Sequence, residues 1–211
     1  MIPRIIHQAW FNPPIPERFS TYGATFLIHN PEWEYHVWDR FDVTSDSAVT
    51  RILSSDLPPI AKSDIYRYSV IYQYGGFWAD TDCECLKSLE PLIDCDFVCG
   101  LESANHIGSA FFGAIAGHPL VKTTLDHAME NLDSIALLSR LYPSWIMENL
   151  GIRHFSNHIC AYQYEYGNIT IHRREYFFPV DWNKQGAVTP HSFINHHFAG
   201  AEPGMGYENL L

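Results

Sequence analysis

The chain predicts an α/β fold: a mainly parallel central sheet flanked by helices, with a small additional sheet region toward the C-terminus. Three observations predict it. Strand-like and helix-like segments alternate through the first half, the pattern of a parallel sheet layered with helices. The segment Ala61 to Asp82 reads in order as a helix, a Gly-Gly stop, a short apolar strand and two carboxylates. The composition, 46% hydrophobic with 18% charged residues, is that of a globular chain and not a disordered one. Its 211 residues fit one domain with a substantial core, the expectation being a single unit over 1–211.

The elements follow in order. Ile2 to Trp10 is a strand candidate stopped by Asn12-Pro13-Pro14. Pro16 to His29 reads as a helix with proline near its first turn, ended by Asn30-Pro31. Glu34 to Trp38 is a second strand, rich in aromatic and β-branched residues. Ser45 to Leu53 reads as a helix, and Ile60 to Tyr74 as another, with Ala61, Ile65, Tyr68 and Tyr72 in one apolar stripe. Gly75-Gly76 ends that helix, and Phe77 to Ala79 is a short buried strand. Asp96 to Leu101 and Ser109 to Ile115 read as strands, Pro119 to Asn131 and Ser134 to Gly151 as helices. Ile169 to His172 and Tyr176 to Val180 are strand-like pieces of the aromatic, histidine-rich last third. In such sheets ligands bind beyond the carboxyl ends of the strands, where Trp10 and Asp80 fall.

The formal charge is −11 and no run of Lys or Arg interrupts it, which argues against a nucleic-acid groove or a polybasic membrane patch. The sequence shows neither a signal peptide nor a stretch near the ~20 apolar residues of a membrane span, so a soluble, cytoplasmic chain is expected. The five cysteines form no Cys-x-x-Cys pair and read as reduced thiols.

Asp80 and Asp82 carry the chemistry. In an extended segment residues i and i+2 point the same way, so both carboxylates can aim at one cation. Oxygen ligands suit Mg²⁺ or Mn²⁺, a natural receptor for a diphosphate. Two other metal motifs fit poorly: Glu84 stands at the fifth place of an aspartyl-phosphatase pattern, and Cys85 where an EF-hand loop needs glycine. Asp64 and Arg67, three apart on a helix, share a face and could receive hydroxyls or a phosphate. Trp10 and Trp78, near strand ends, could stack on a base or line a sugar pocket. Of His196 and His197, one can point inward and complete a Mn²⁺ sphere. No carboxylate stands out as a general base; Glu102, after the strand Asp96 to Leu101, is the candidate.

Together these stretches resemble glycosyltransferase family 32, whose members carry a DXD sugar-binding motif. The match rests on Ile2 to Trp10, on Asn30 to Tyr35 with Trp38-Asp39, and on Ser63-Asp64, Arg67, Gly75-Gly76 and the Asp80/Asp82 pair. Phe112-Gly113-Ala114, Gly117-His118-Pro119 and His197-Phe198-Ala199-Gly200 extend it. The chain departs from the family at Trp78, where tyrosine is usual, and after Gly200, where Ala201-Glu202 replaces a Ser-Trp pair. The compact size suits a bacterial or virus-encoded member, or an excised domain. The resemblance implies a GT-A fold, a nucleotide-sugar donor with a UDP-sugar first and GDP-mannose second, Mn²⁺ or Mg²⁺, a glycan or other hydroxyl acceptor, and retention of configuration. It divides the chain into a donor-binding part (about 1–100) and an acceptor part (about 101–211). By position Trp10 would stack on the base, Asp64 and Arg67 would hold the donor sugar, Asp80 would contact ribose and metal, Asp82 would bind the metal, and His197 would be the third ligand. The alternatives are a non-catalytic nucleotide-sugar or glycan-binding module on the same fold, and a metal-dependent phosphohydrolase.

Overall fold

A computed structural model describes residues 1–11, 13–39, 50, 59–130 and 149–201. The helices expected at Ser45 to Leu53 and Ser134 to Gly151 lie wholly or largely outside them. In chain order the regular elements are β1 (Ile5–Ala9), α1 (Glu17–His29), β2 (Glu34–Trp38), α2 (Pro59–Tyr74), β3 (Gly76–Ala79), β4 (Cys83–Cys85), β5 (Phe97–Gly100), β6 (Phe111–Ala114), α3 (Pro119–Glu130), α4 (Ile152–Tyr162), β7 (Ile169–His172) and β8 (Ile194–His196). Six strands form the main sheet in the order β2-β1-β3-β6-β5-β7, and β4 pairs with β8 in a separate two-stranded ribbon. β1 runs parallel to β2 and β3, and β5 parallel to β7, while β6 runs against both its neighbours. The sheet is thus parallel except at β6.

Both faces of the central strands β3, β5 and β6 are covered, which is why these strands read as apolar runs. Neighbouring residues alternate between the two layers. Trp78, Phe112 and Phe97 face a core closed by Ile65, Tyr68 and Ile71 of α2, Leu120 and Leu125 of α3, and Phe155 and Ile159 of α4. Phe77, Phe111 and Val98 face the opposite core, with Phe26 of α1, Phe177, Phe178 and Ile194. Of the stripe expected on α2, Ala61, Ile65 and Tyr68 are wholly buried and Tyr72 packs at the margin.

The glycine pair that ends α2 has two separate tasks. Gly75 caps the helix in the left-handed region (φ 67), its N–H donating to the Ile71 carbonyl at 2.9 Å. Gly76 opens β3 at φ 90, and a Cβ there would stand 2.5 Å from the Ile5 carbonyl oxygen. Only glycine lets β3 lie this close to β1.

Tyr176 to Val180 is not a strand. Arg174–Tyr176 is a 3-10 turn. The Arg174 carbonyl accepts the N–H groups of Phe177 and Phe178, while its side-chain Nε donates back to Phe178 O at 3.0 Å. The turn lets two consecutive phenylalanines both be buried, which a strand with one solvent face would not allow.

β1 carries two buried polar residues in succession, His7 and Gln8. His7 Nε2 donates to Gly75 O at 3.0 Å and Nδ1 accepts the Trp38 indole N–H at 3.3 Å. Both nitrogens are satisfied only in the neutral ring, and burial pushes its pKa down from 6.5 to about 4. A histidine depressed in the fold binds its proton more readily when unfolded, so its contribution is present above pH 6.5 and fades as pH falls toward 4. Moving from pH 7 to pH 5 is expected to cost about 2 kcal/mol at this residue. Urea unfolding at the two pH values checks it: the loss should shrink by that amount in His7→Gln.

Candidate active site

The carboxyl ends of β1 and β3, and the segment after β5, bring the candidate residues together. Asp80 follows β3 directly, its N–H donating to Ala110 O at 2.8 Å. The chain then turns, with the Cys83 N–H on Asp80 O at 2.9 Å, and continues into β4. Asp80 and Asp82 therefore belong to a tight turn and not to one extended run, so the expectation of i, i+2 alignment along a strand is corrected. What sets their directions is the partners each carboxylate finds.

Asp80 is held from below. Its Oδ1 accepts the Trp78 indole N–H at 2.8 Å and lies 3.3 Å from Arg67. Arg67 also reaches Asp64 Oδ1 at 3.0 Å and donates to Ser109 O and Oγ at 2.8 and 3.1 Å. The indole of Trp78 lies under the same guanidinium, 5.6 Å from it. Gln8 donates to Asp80 O at 3.2 Å and accepts the Tyr35 hydroxyl, fixing the backbone from β1. Asp64 and Arg67 are not the surface pair that their spacing allows, since each is only 6% exposed. Burial pushes Asp64 up to about 6 against the pull of Arg67, and pushes Asp80 up as well. Both of these contacts on the Asp80 carboxylate fall on Oδ1.

Asp82 is held from above by the end of the chain. Its Oδ1 lies 3.2 Å from His196 Nε2, its Oδ2 accepts the Ala199 N–H at 2.8 Å, and its carbonyl accepts the His197 N–H at 2.9 Å. Burial works to raise its pKa; the charge and hydrogen bond of His196 and the Ala199 amide outweigh it and hold the carboxyl at about 2. Burial tends to lower His196, and the surrounding Asp82, Asp80 and Glu102 raise it on balance.

Two expected residues, His197 and Trp78, stand elsewhere than predicted. His197 does not face Asp82: its Nε2 lies 3.0 Å from Glu84 and its ring stacks on Tyr22 at 4.2 Å. The imidazole on Asp82 is that of His196, because β8 pairs Cys83 with His196 and places that side chain over the acidic turn. Trp78 is 1% exposed in a strand covered on both faces, so it cannot stack on a ligand; it orients Asp80 instead. Trp10 lies one residue beyond β1, partly exposed, its N–H on Trp38 O at 2.8 Å and its ring 5.2 Å from Phe19. Glu102 lies where expected, beyond β5, and burial pushes its carboxyl up, with His196, Asp80, Arg174 and Asp82 as its charged surroundings. Gln8, Ser109, His196 and Arg174 are the contributors that sequence reasoning missed or left unassigned.

One group of side chains among the described residues has metal-ligand spacing: Asp82, Cys83 and His196, with ligand atoms within 4.8 Å of one another. Burial keeps the Cys83 thiol protonated, its Sγ facing Ala110 O at 3.6 Å, which leaves carboxylate and imidazole as the donor set. His196 Nδ1 is buried without a hydrogen-bond partner among the described residues. A hard or borderline divalent cation fits such donors.

Comparison with known proteins bears on the family and the fold. The family described as "Glycosyltransferase sugar-binding region containing DXD motif" matches residues 16–98, which include Asp64, Arg67, Asp80 and Asp82. Inositol phosphoceramide mannosyltransferase 3 of Schizosaccharomyces pombe is 28% identical over 131 residues, 57% of this chain and 35% of that protein. Inositol phosphoceramide mannosyltransferase 1 of the same yeast is 32% identical over 131 residues, 57% of this chain and 40% of that protein. The chain thus spans little more than a third of the length of these relatives. Among solved structures, the UDP-bound glycosyltransferase domain from the YGT toxin superposes with a TM-score of 0.62 at 9% identity, over 81% of this chain and 79% of that one. Residues 16–98 are thus similar to the DXD-type glycosyltransferase sugar-binding regions, and the chain has the GT-A fold. No helix among the described residues is long and apolar enough to cross a membrane.

Proposed function

We propose that this chain is a metal-dependent glycosyltransferase that moves a sugar from a nucleotide-sugar donor to a hydroxyl acceptor with retention of configuration. The observation that carries it is the division of labour between the two acidic residues. Asp80 is fixed from within the fold by Arg67 and Trp78, and Asp82 from outside by His196 and Ala199. Two carboxylates held this firmly side by side have a purpose when a divalent cation and a diphosphate share the turn.

Asp82 and His196 would hold the cation, with Asp80 offering its carboxylate to it and to the ribose. A bound Mn²⁺ or Mg²⁺ supplies charge neutralisation for the departing diphosphate. Asp64 and Arg67, nearly buried beneath Asp80, form the floor for the donor sugar. Trp10, at the end of β1, receives the base. In the transfer the bond from the anomeric carbon to the diphosphate oxygen breaks, and a bond to the acceptor oxygen forms. The acceptor proton passes to a donor phosphate oxygen on the same face. Glu102, raised by burial, orients the attacking hydroxyl.

A UDP-sugar is the first donor proposed. GDP-mannose is the second reading, the yeast relatives being named as mannosyltransferases. Incubation with UDP- and GDP-sugars, with Mn²⁺ or with EDTA, tests both. Nucleotide release from one donor, abolished by EDTA, is the expected result. Tight binding of every donor without release, even with varied acceptors present, would mean a binding module. Phosphate release from simple phosphate esters would mean a hydrolase.

A further inference from the structure

Beside the acidic turn stands a hairpin that the transfer reading leaves unused. Val180 and Gly186 face each other across an antiparallel bridge. Inside it, the Asp181 N–H donates to Gln185 O at 2.9 Å, the Lys184 N–H to Asp181 O at 2.8 Å, and the Gln185 N–H to Asp181 Oδ1 at 2.8 Å. Two residues take the left-handed region, Lys184 at φ 60 and Gly186 at φ 109. A Cβ on Gly186 would stand 2.1 Å from Pro179 O, so the loop depends on glycine there.

The hairpin is tied to the site on two sides. Lys184 Nζ donates to the carbonyl of His197 at 2.7 Å, next to the histidine on Asp82. Arg174, one of the charges acting on Glu102, lies 3.5 Å from Asp181 Oδ2 and donates to Gln185 O at 3.2 Å. Between these two anchors sits Trp182, 62% exposed.

A single exposed apolar residue is ordinary on a protein surface. Trp182 differs in its setting: a loop with its backbone closed by hydrogen bonds, two left-handed residues and two side-chain anchors, all bordering the donor site. Such a loop presents an indole at little further entropic cost to a partner that stacks on it. We propose that Trp182 is the acceptor platform, stacking on the apolar face of an uncharged pyranose ring and setting its hydroxyl toward the donor sugar. This rests on the transfer reading above. An uncharged partner suits the place, because the nearby cations Arg174 and Lys184 are already engaged and the chain carries a formal charge of −11. An anionic lipid surface is disfavoured on the same ground.

Fluorine NMR on protein labelled with 5-fluorotryptophan tests it, the Trp182 resonance being assigned by its loss in Trp182→Phe. With UDP and Mn²⁺ present, the methyl glycosides of mannose, glucose, galactose and rhamnose are added in turn. The expected result is a shift of the Trp182 resonance with at least one of them. Trp182→Ala should then lose about tenfold in kcat/KM for that glycoside, with nucleotide release to water kept within about twofold. No shift with any glycoside overturns the proposal. A shift produced by UDP alone overturns it in favour of base stacking, and a shift only with anionic phospholipid vesicles in favour of a membrane anchor. A glycoside shift without nucleotide release from any donor would sink the transferase reading and keep the sugar contact. Release without a shift would do the reverse.

Discussion

Arg67→Met is expected to lower folding stability by about 3–5 kcal/mol, the cost of breaking a buried ionic cluster by removing one partner. The guanidinium serves Asp64, Asp80 and both oxygens of Ser109 at once, and it is 6% exposed. Without it two carboxylates that burial already pushes upward would face each other without the counter-charge they share. Urea unfolding measures the loss. Arg67→Met combined with Asp64→Leu should recover part of it, because the double change removes one of the two carboxylates left without Arg67. A single variant as stable as the parent would mean that the cluster contributes little beyond packing.

Asp82→Asn is expected to leave the fold nearly intact and to lower nucleotide release by about a thousandfold. The asparagine oxygen can still accept the Ala199 N–H, so the turn keeps one of its ties. What is lost is the negative charge that would make the turn a cation site. The two adjacent histidines separate this from a general loss of structure. His196→Ala should follow Asp82→Asn in weakening Mn²⁺ dependence, whereas His197→Ala should leave it close to the parent. Equal effects of the two histidine changes would contradict the assignment of His196.

The first half of the fold was legible because its signals are local. The proline and Asn30-Pro31 that bound α1, the aromatic and β-branched content of β2 and the Gly-Gly stop of α2 all act within a few residues. The acidic pair was legible for the same reason. The rest depended on contacts that no local pattern carries. β4 and β8 are three residues each, too short for a periodicity, and exist because they pair with each other. That pairing decides which of two adjacent histidines meets Asp82. Trp78 misled because a tryptophan beside a motif looks the same whether it faces a ligand or orients an aspartate from inside the core. Gln8 gave one usable sign: a second polar residue in succession within an apolar strand calls for a buried partner.

The ties on Asp82 reach unusually far along the chain. Its carbonyl and carboxylate are closed by the amides of His197 and Ala199, more than a hundred residues downstream. On the ribosome, the sheet and the Arg67 cluster can assemble while the acidic turn still lacks its upper half. The turn is completed only when residue 199 has emerged, so a partly made chain carries the motif in its sequence without yet having the geometry proposed to bind.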